Sequence, residues 1–188
     1  MSAAKDTGLL VLRATAGGIM AAHGAQKLFG VMKGPGFQGT TGFMQMLGLR
    51  PARAWAAAAG AGEFGGGVLT ALGFLNPIGP IGMVAAMAMA TQKAHLGKGL
   101  FVSEGGPELT LLNSAAAVAV ATAGPGAYAL DHLFGLRLPR WLTTVFAVGA
   151  AGTVIYGMLQ SPDAPPSADA AQDSAEAQGI ATGVETEA

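Results

Sequence analysis

The run AWAAAAGAGEFGGGVLTALGFL, residues 54–75, decides the class of this protein. It is long enough to cross a bilayer, because about 20 helical residues at ~1.5 Å each match a hydrocarbon core ~30 Å thick. One acid, Glu63, interrupts it near the middle. A carboxylate at that depth costs on the order of 3 kcal/mol even on lenient insertion scales, so it is expected to face a polar partner or a water-filled cavity. The candidate partners are Arg13, His23 and Lys27, all on the first apolar segment. A buried polar cluster inside an integral membrane protein follows, and what that cluster does is the functional question.

Working outward, the composition agrees. The chain is 51% hydrophobic and 11% charged, with a mean hydropathy of +0.46, whereas an average soluble domain is about 25% charged. With no cysteine, disulfides, thiolate metal sites and dithiol redox chemistry are excluded within the chain. Lys5 could head a signal sequence, but Asp6 stands beside it and Arg13 breaks the apolar run. The N-terminus therefore reads as an uncleaved first transmembrane helix.

Five candidate spans emerge: residues 8–29, 54–75, 78–95, 109–123 and 141–159. Asn76-Pro77 turns the second into the third, predicting an antiparallel hairpin. Gly124-Pro125-Gly126 stops the fourth, and Trp141 is placed like an interfacial anchor at the start of the fifth. In the long link between the first two spans, the segment from Phe43 to Leu47 predicts a short amphipathic helix at the interface. Residues 1–159 hold all ten Lys and Arg against five acids, while residues 160–188 hold six acids and no base. From Ser161 onward Pro, Ala, Ser and acids dominate and aromatics vanish, predicting a disordered acidic tail. If it acts, it acts through a basic partner on its own side of the membrane.

The cluster admits two readings. Arg13 and Lys27 lie fourteen residues apart, about 40° around a helix, so they share a face near opposite ends of their span. His23 and Lys27 are i,i+4 neighbours. An antiparallel return places Glu63 at a depth comparable to His23. Glu63 either pairs with one cation and locks two helices together, or forms with a histidine a proton-active or quinone-headgroup site. His95, closing the third span, falls on the same side as Lys27. Gly62 and Gly66, and likewise Thr153 and Gly157, are small-xxx-small pairs that serve helix packing within the bundle or a homo-oligomer. Three histidines on separate segments match no metal-ligand spacing, so no metal is expected. The glycine-rich stretches carry no Walker lysine, which argues against nucleotide. The bases, spread over loops, suit positive-inside topology and not nucleic acid. Lys27, Lys33, Arg50, Arg53, Lys93 and Lys98 fall on one side, and Lys5, Arg137 and Arg140 on the other, which puts the N-terminus outside and the C-terminus inside.

Leu12-Arg13-Ala14, followed by Ala22-His23-Gly24-Ala25-Gln26-Lys27-Leu28-Phe29-Gly30, resembles the first-helix signature of DoxX-type membrane proteins. Gly48-Leu49 and Ala61-Gly62-Glu63-Phe64-Gly65-Gly66 resemble the second-helix pattern. Ala94-His95-Leu96 resembles the end of the third helix, and Gly124-Pro125-Gly126 with Leu130-Asp131 the close of the fourth. The resemblance runs over roughly residues 8–135. It implies a four-helix membrane bundle in the plasma membrane of a bacterium, tied loosely to redox physiology. Relatives are linked to quinone reduction, to thiosulfate oxidation as a small subunit, and to complexes that handle oxidative stress. The positions carried over are Arg13, His23, Lys27, Glu63 and His95.

The expected fold is therefore an all-α membrane protein: a DoxX-like four-helix transmembrane bundle (residues 1–135), a fifth transmembrane helix (136–160) and the acidic tail (161–188). The expected role is a membrane subunit or accessory factor of a quinone-linked redox or oxidative-stress system. A non-catalytic scaffold that recruits partner proteins is the alternative. A solute transporter would call for an inverted repeat, and none is visible. No catalytic constellation is complete and no cofactor is evident. A quinone is the cofactor class the cluster admits, with the bilayer and a redox protein as partners, because no set of side chains here carries electrons itself.

Overall fold

The computed structural model describes residues 2–160, and every regular element among them is helical. The acidic tail of the sequence reading lies outside the described residues. In chain order the helices are α1 (Ala3–Phe29), α2 (Gly36–Met46), α3 (Ala52–Leu72), α4 (Ile78–Ala90), α5 (Glu108–Ala123), α6 (Leu130–Leu133) and α7 (Arg140–Leu159). A single π turn, Thr91–His95, extends α4. α2 starts seven residues ahead of the helix expected at Phe43, taking in Gly36, Gly39 and Gly42. Tertiary packing overrides the low helix propensity of glycine there: Thr40 is buried against the end of α1, its hydroxyl 3.1 Å from the Lys27 carbonyl oxygen and 2.8 Å from that of Gly36.

α1, α3, α4 and α5 close a four-membered ring, each touching its two neighbours, and α7 packs outside it on α4. The α1–α3 seam is the tightest. A β-carbon on Gly17 would stand 2.6 Å from the Gly67 carbonyl oxygen and 2.9 Å from the Ala71 α-carbon. One on Gly24 would meet Phe64 at 2.6 Å. Only glycine lets two backbones approach so closely, which is how small residues drive association where apolar surroundings offer no hydrophobic gain. These contacts set an antiparallel register that pairs residue 17 with 71, 21 with 67 and 24 with 64. Gly62 and Gly66 face Gly82 and Gly79 on α4, so that expected small-residue pair packs within the chain; of the other, Gly157 faces Trp55 and Met89 while Thr153 is exposed.

The ring interior is small and sulfur-rich, built from Ala16, Met20, Met83, Met87 and Ala117. A second cluster of Met44, Leu49, Ala52, Trp55 and Ala56 lies beneath α2. Charged side chains are seldom buried in a water-soluble bundle and large apolar ones are usually inside. Asp6, Arg13, Glu63 and Asp131 are buried, while Val11, Ile19, Leu112, Val145, Val148 and Ile155 stand exposed along the helices.

Among the described residues, one helix has both the length and the apolarity to cross a membrane on those criteria alone, Arg140–Leu159. α1 and α3 have the length, at 27 and 21 residues, but α1 carries Lys5, Asp6, Arg13, His23 and Lys27 and α3 is rich in glycine. α5 is short, at 16 residues.

Candidate functional site

Two polar centres sit at opposite ends of the α1–α3 seam. The buried face of α1 runs Arg13, Ala16, Gly17, Met20, Gly24, a stripe of helical period, and Lys27 continues it. Arg13 and Lys27 thus share a face near opposite ends, as their spacing predicts. They do not share a partner. The register places Arg13 level with Leu75, its guanidinium against Gly73 and far from Glu63: with residue 25 level with Glu63, Arg13 stands twelve positions away, roughly 18 Å along the axis.

At the first centre Lys27 donates to Glu63 in an ion pair. The Glu63 side chain is 5% exposed and that of Lys27 27%, so the carboxylate lies inside and the ammonium reaches toward the surface, as a long side chain with a polar tip does. The Phe29 and Phe64 rings pack edge to face beside them at 5.3 Å.

At the second centre Arg13 donates to the carbonyl oxygens of Ala71 and Tyr128. Gly73, at φ 63°, ends α3 against its guanidinium. Two buried acids flank this end. Asp131 accepts from the backbone N–H groups of Leu75 and Asn76, both at 2.8 Å. Asp6 accepts from the Ala127 N–H at 2.9 Å. All three side chains serve main-chain groups at helix ends, which fixes them as structural supports. The sequence reading used Asp131 only within the fourth-helix resemblance and Asp6 only as the charge beside Lys5. The available signal was an acid in the first turn of a helix, with Asp131 five residues after the Gly-Pro-Gly stop.

The five expected site residues therefore do not form one cluster. Lys27 and Glu63 pair, and Arg13 belongs to the opposite end. His23 is exposed on the outer side of α1, although its depth matches Glu63. A step of 100° separates it from Gly24, whose face is pressed onto Phe64. His95 lies on the π turn, its Nδ1 2.7 Å from the Gly105 carbonyl oxygen.

Lys27, Glu63 and His95 line one groove of about 1210 Å³ between α3, α4 and α7, roofed at one end by α2. Its walls are mainly apolar, with Phe43, Trp55, Leu69, Met89 and Phe146 among them, and its polar lining comprises the Lys27–Glu63 pair and, at the end where α4 finishes, Lys93, His95 and Lys98. α7 is held over this end by Gln160, whose carbonyl oxygen accepts from Lys93 and whose side chain bonds the Arg50 backbone at 2.7 and 2.9 Å. Trp55 and Tyr156 stack 6.2 Å apart where α7 meets α3. Sequence reasoning missed Lys93 and Lys98 as site residues. Their signal was the close spacing of two lysines around His95 where an apolar span ends.

These features define a class: an all-helical bundle with four buried charged side chains and a mainly apolar groove lined by an ion pair. The DoxX family model matches residues 8–96. That stretch takes in most of α1, all of α2 to α4, the π turn, and the five residues carried over from the resemblance, and over it the chain is similar to DoxX-type proteins. The match stops short of α5. No curated protein and no solved structure matches the chain.

Proposed function

We propose that this chain is a multi-pass protein of the bacterial plasma membrane, with α1, α3, α4 and α5 as a four-helix transmembrane unit within residues 1–135 and α7 as an added transmembrane helix within 136–160. We propose further that it serves a quinone-linked redox or oxidative-stress system as a membrane subunit that holds the quinone in the groove. A place in the membrane is supported by the DoxX match and by the apolar exterior around buried charges, since lipid demands apolar side chains outside and polar ones paired inside.

The observation that carries the ligand reading is the mainly apolar groove lined by Lys27, Glu63 and His95. Ligand sites of this kind are mainly apolar with a few convergent polar groups. The groove's walls suit a long hydrocarbon tail, and its polar end suits a carbonyl-bearing ring. A bound quinone would supply two-electron, two-proton chemistry. Lys27 would donate to a ring oxygen, His95 would present its Nε2 as donor or acceptor, and Glu63 would take or return a proton. Electrons would come from a partner protein, since the described side chains form no redox centre of their own.

Thermal melting with a series of quinone analogues tests this. A rise in melting temperature is expected for the parent. It should be lost in the paired variant Lys27→Met with Glu63→Gln, reduced in His95→Ala, and kept in His23→Ala, whose side chain lies outside the groove. No rise with any quinone overturns the ligand reading in favour of a scaffold that recruits partner proteins.

A further inference from the structure

Lys33, Arg50, Arg53, Lys93 and Lys98 gather at the end of the bundle where α4 finishes. Two of them, Lys93 and Lys98, also line the groove. The turn that carries both is braced. The Thr91 hydroxyl lies 2.6 Å from that of Thr110 on α5, His95 Nδ1 lies 2.7 Å from the Gly105 carbonyl oxygen, and the Lys98 N–H donates to the His95 carbonyl oxygen at 3.2 Å. Lys93 donates to the Gln160 carbonyl oxygen, which uses one of the three donors of an ammonium. Lys98 is exposed. Among the described residues neither lysine has an acidic partner. The nearby Glu104 and Glu108 accept instead from the Phe101 and Val102 N–H groups, at 3.4 and 3.0 Å.

We propose that Lys93 and Lys98 bind the phosphate of an anionic phospholipid, with an acyl chain of that lipid lying along the apolar wall of the groove. This rests on the membrane placement proposed above and needs no quinone. Three observations converge on that occupant. The charges are complementary: two ammonium groups without a carboxylate border an apolar surface, and cationic groups at membrane depth are expected to find a counter-charge. The groove, at about 1210 Å³, exceeds the ~300–1,000 Å³ of sites for small molecules. It also opens along its flank, since Val145 and Thr153 line it from α7 and are nonetheless exposed, so a chain enters from the side that faces lipid. A free phosphate ion would match the lysines and leave that wall unmatched. The excess of bases turns this end of the bundle to the cytoplasmic leaflet, where anionic lipids lie and where basic pockets between helices take their headgroups.

Native mass spectrometry of the full chain in detergent, titrated with phosphatidylglycerol or with phosphatidylcholine of the same acyl chains, tests this. Phosphatidylglycerol should bind the more tightly. Lys93→Gln with Lys98→Gln should weaken it by about 30-fold, the effect of two lysines near an anionic headgroup, and bring it to the level of phosphatidylcholine. Lys93→Arg with Lys98→Arg, which keeps both charges, should retain the preference. Lys5→Gln with Arg137→Gln makes the same change of charge at the opposite end of the bundle and should also retain it. Equal binding of the two lipids overturns the proposal, as does a preference that survives loss of both lysines. An equal loss in the opposite-end variant reduces it to general charge attraction, and a melting shift with inorganic phosphate as large as that with the lipid reduces it to a free-anion site; either result overturns it. Carbonate washing of membranes that carry the chain checks the placement separately. A chain that washes off refutes the membrane reading, and one that stays without preferring phosphatidylglycerol refutes the lipid site alone.

Discussion

Lys27→Leu should destabilise the bundle more than Glu63→Leu, although each breaks the same ion pair. Removing Lys27 leaves a carboxylate whose side chain is only 5% exposed, buried and uncompensated between α1 and α3. Stranding a buried charge costs about 3–5 kcal/mol. Removing Glu63 leaves an ammonium on a side chain 27% exposed, which can turn outward on its flexible stem, so the cost falls nearer 1–3 kcal/mol, that of an unsatisfied polar group. For a chain of this size about 1 kcal/mol shifts the melting temperature by roughly 2–4 °C, so Lys27→Leu should melt on the order of 10 °C below the parent. The paired change Lys27→Leu with Glu63→Leu strands nothing and should recover most of the loss, because an apolar pair often replaces a buried ion pair without penalty. Thermal melts of the three variants in one detergent, closed as a double-mutant cycle, decide the matter. Equal losses for the two single changes would refute the asymmetric burial. A paired variant no better than Lys27→Leu alone would refute the buried ion pair as the source of the cost.

Gly67→Ala should cost about 1–3 kcal/mol, because its new β-carbon would press on the Gly17 carbonyl oxygen and the Ala21 backbone, whereas Gly65→Ala, which meets nothing within 4 Å, should melt like the parent. Asp131→Ala leaves the Leu75 and Asn76 N–H groups without their carboxylate and should lower stability by about 1–3 kcal/mol for each group that water does not reach, with Asp131→Asn retaining part of the loss. Arg13→Met strands the Ala71 and Tyr128 carbonyl oxygens and should destabilise without changing any quinone-dependent melting shift, since Arg13 lies outside the groove. Truncation after Gln160 should leave the melt of the bundle in place, because the described packing between its helices lies within residues 2–160.

The sequence by itself determined the helical class, the five long helices to within a few residues, and the inward face of α1. Those follow from apolar run length, from Pro and Gly stops, and from the period that places Arg13 and Lys27 on one side, all local properties of the chain. It also singled out Glu63, because a lone acid in an apolar run must find a partner wherever the chain folds. Which partner it found was decided only in three dimensions. The register of α1 against α3 is set by where glycine meets backbone, at Gly17 with Ala71 and at Gly24 with Phe64. A shift of one helical turn would have paired the residues differently with no change in either helix's own pattern. That register carried Arg13 away from Glu63 and gave Glu63 to Lys27, while helical phase turned His23 outward. The groove was beyond reach for the same reason: it lies between α3, α4 and α7, and its walls are contributed by segments whose mutual placement no local periodicity encodes.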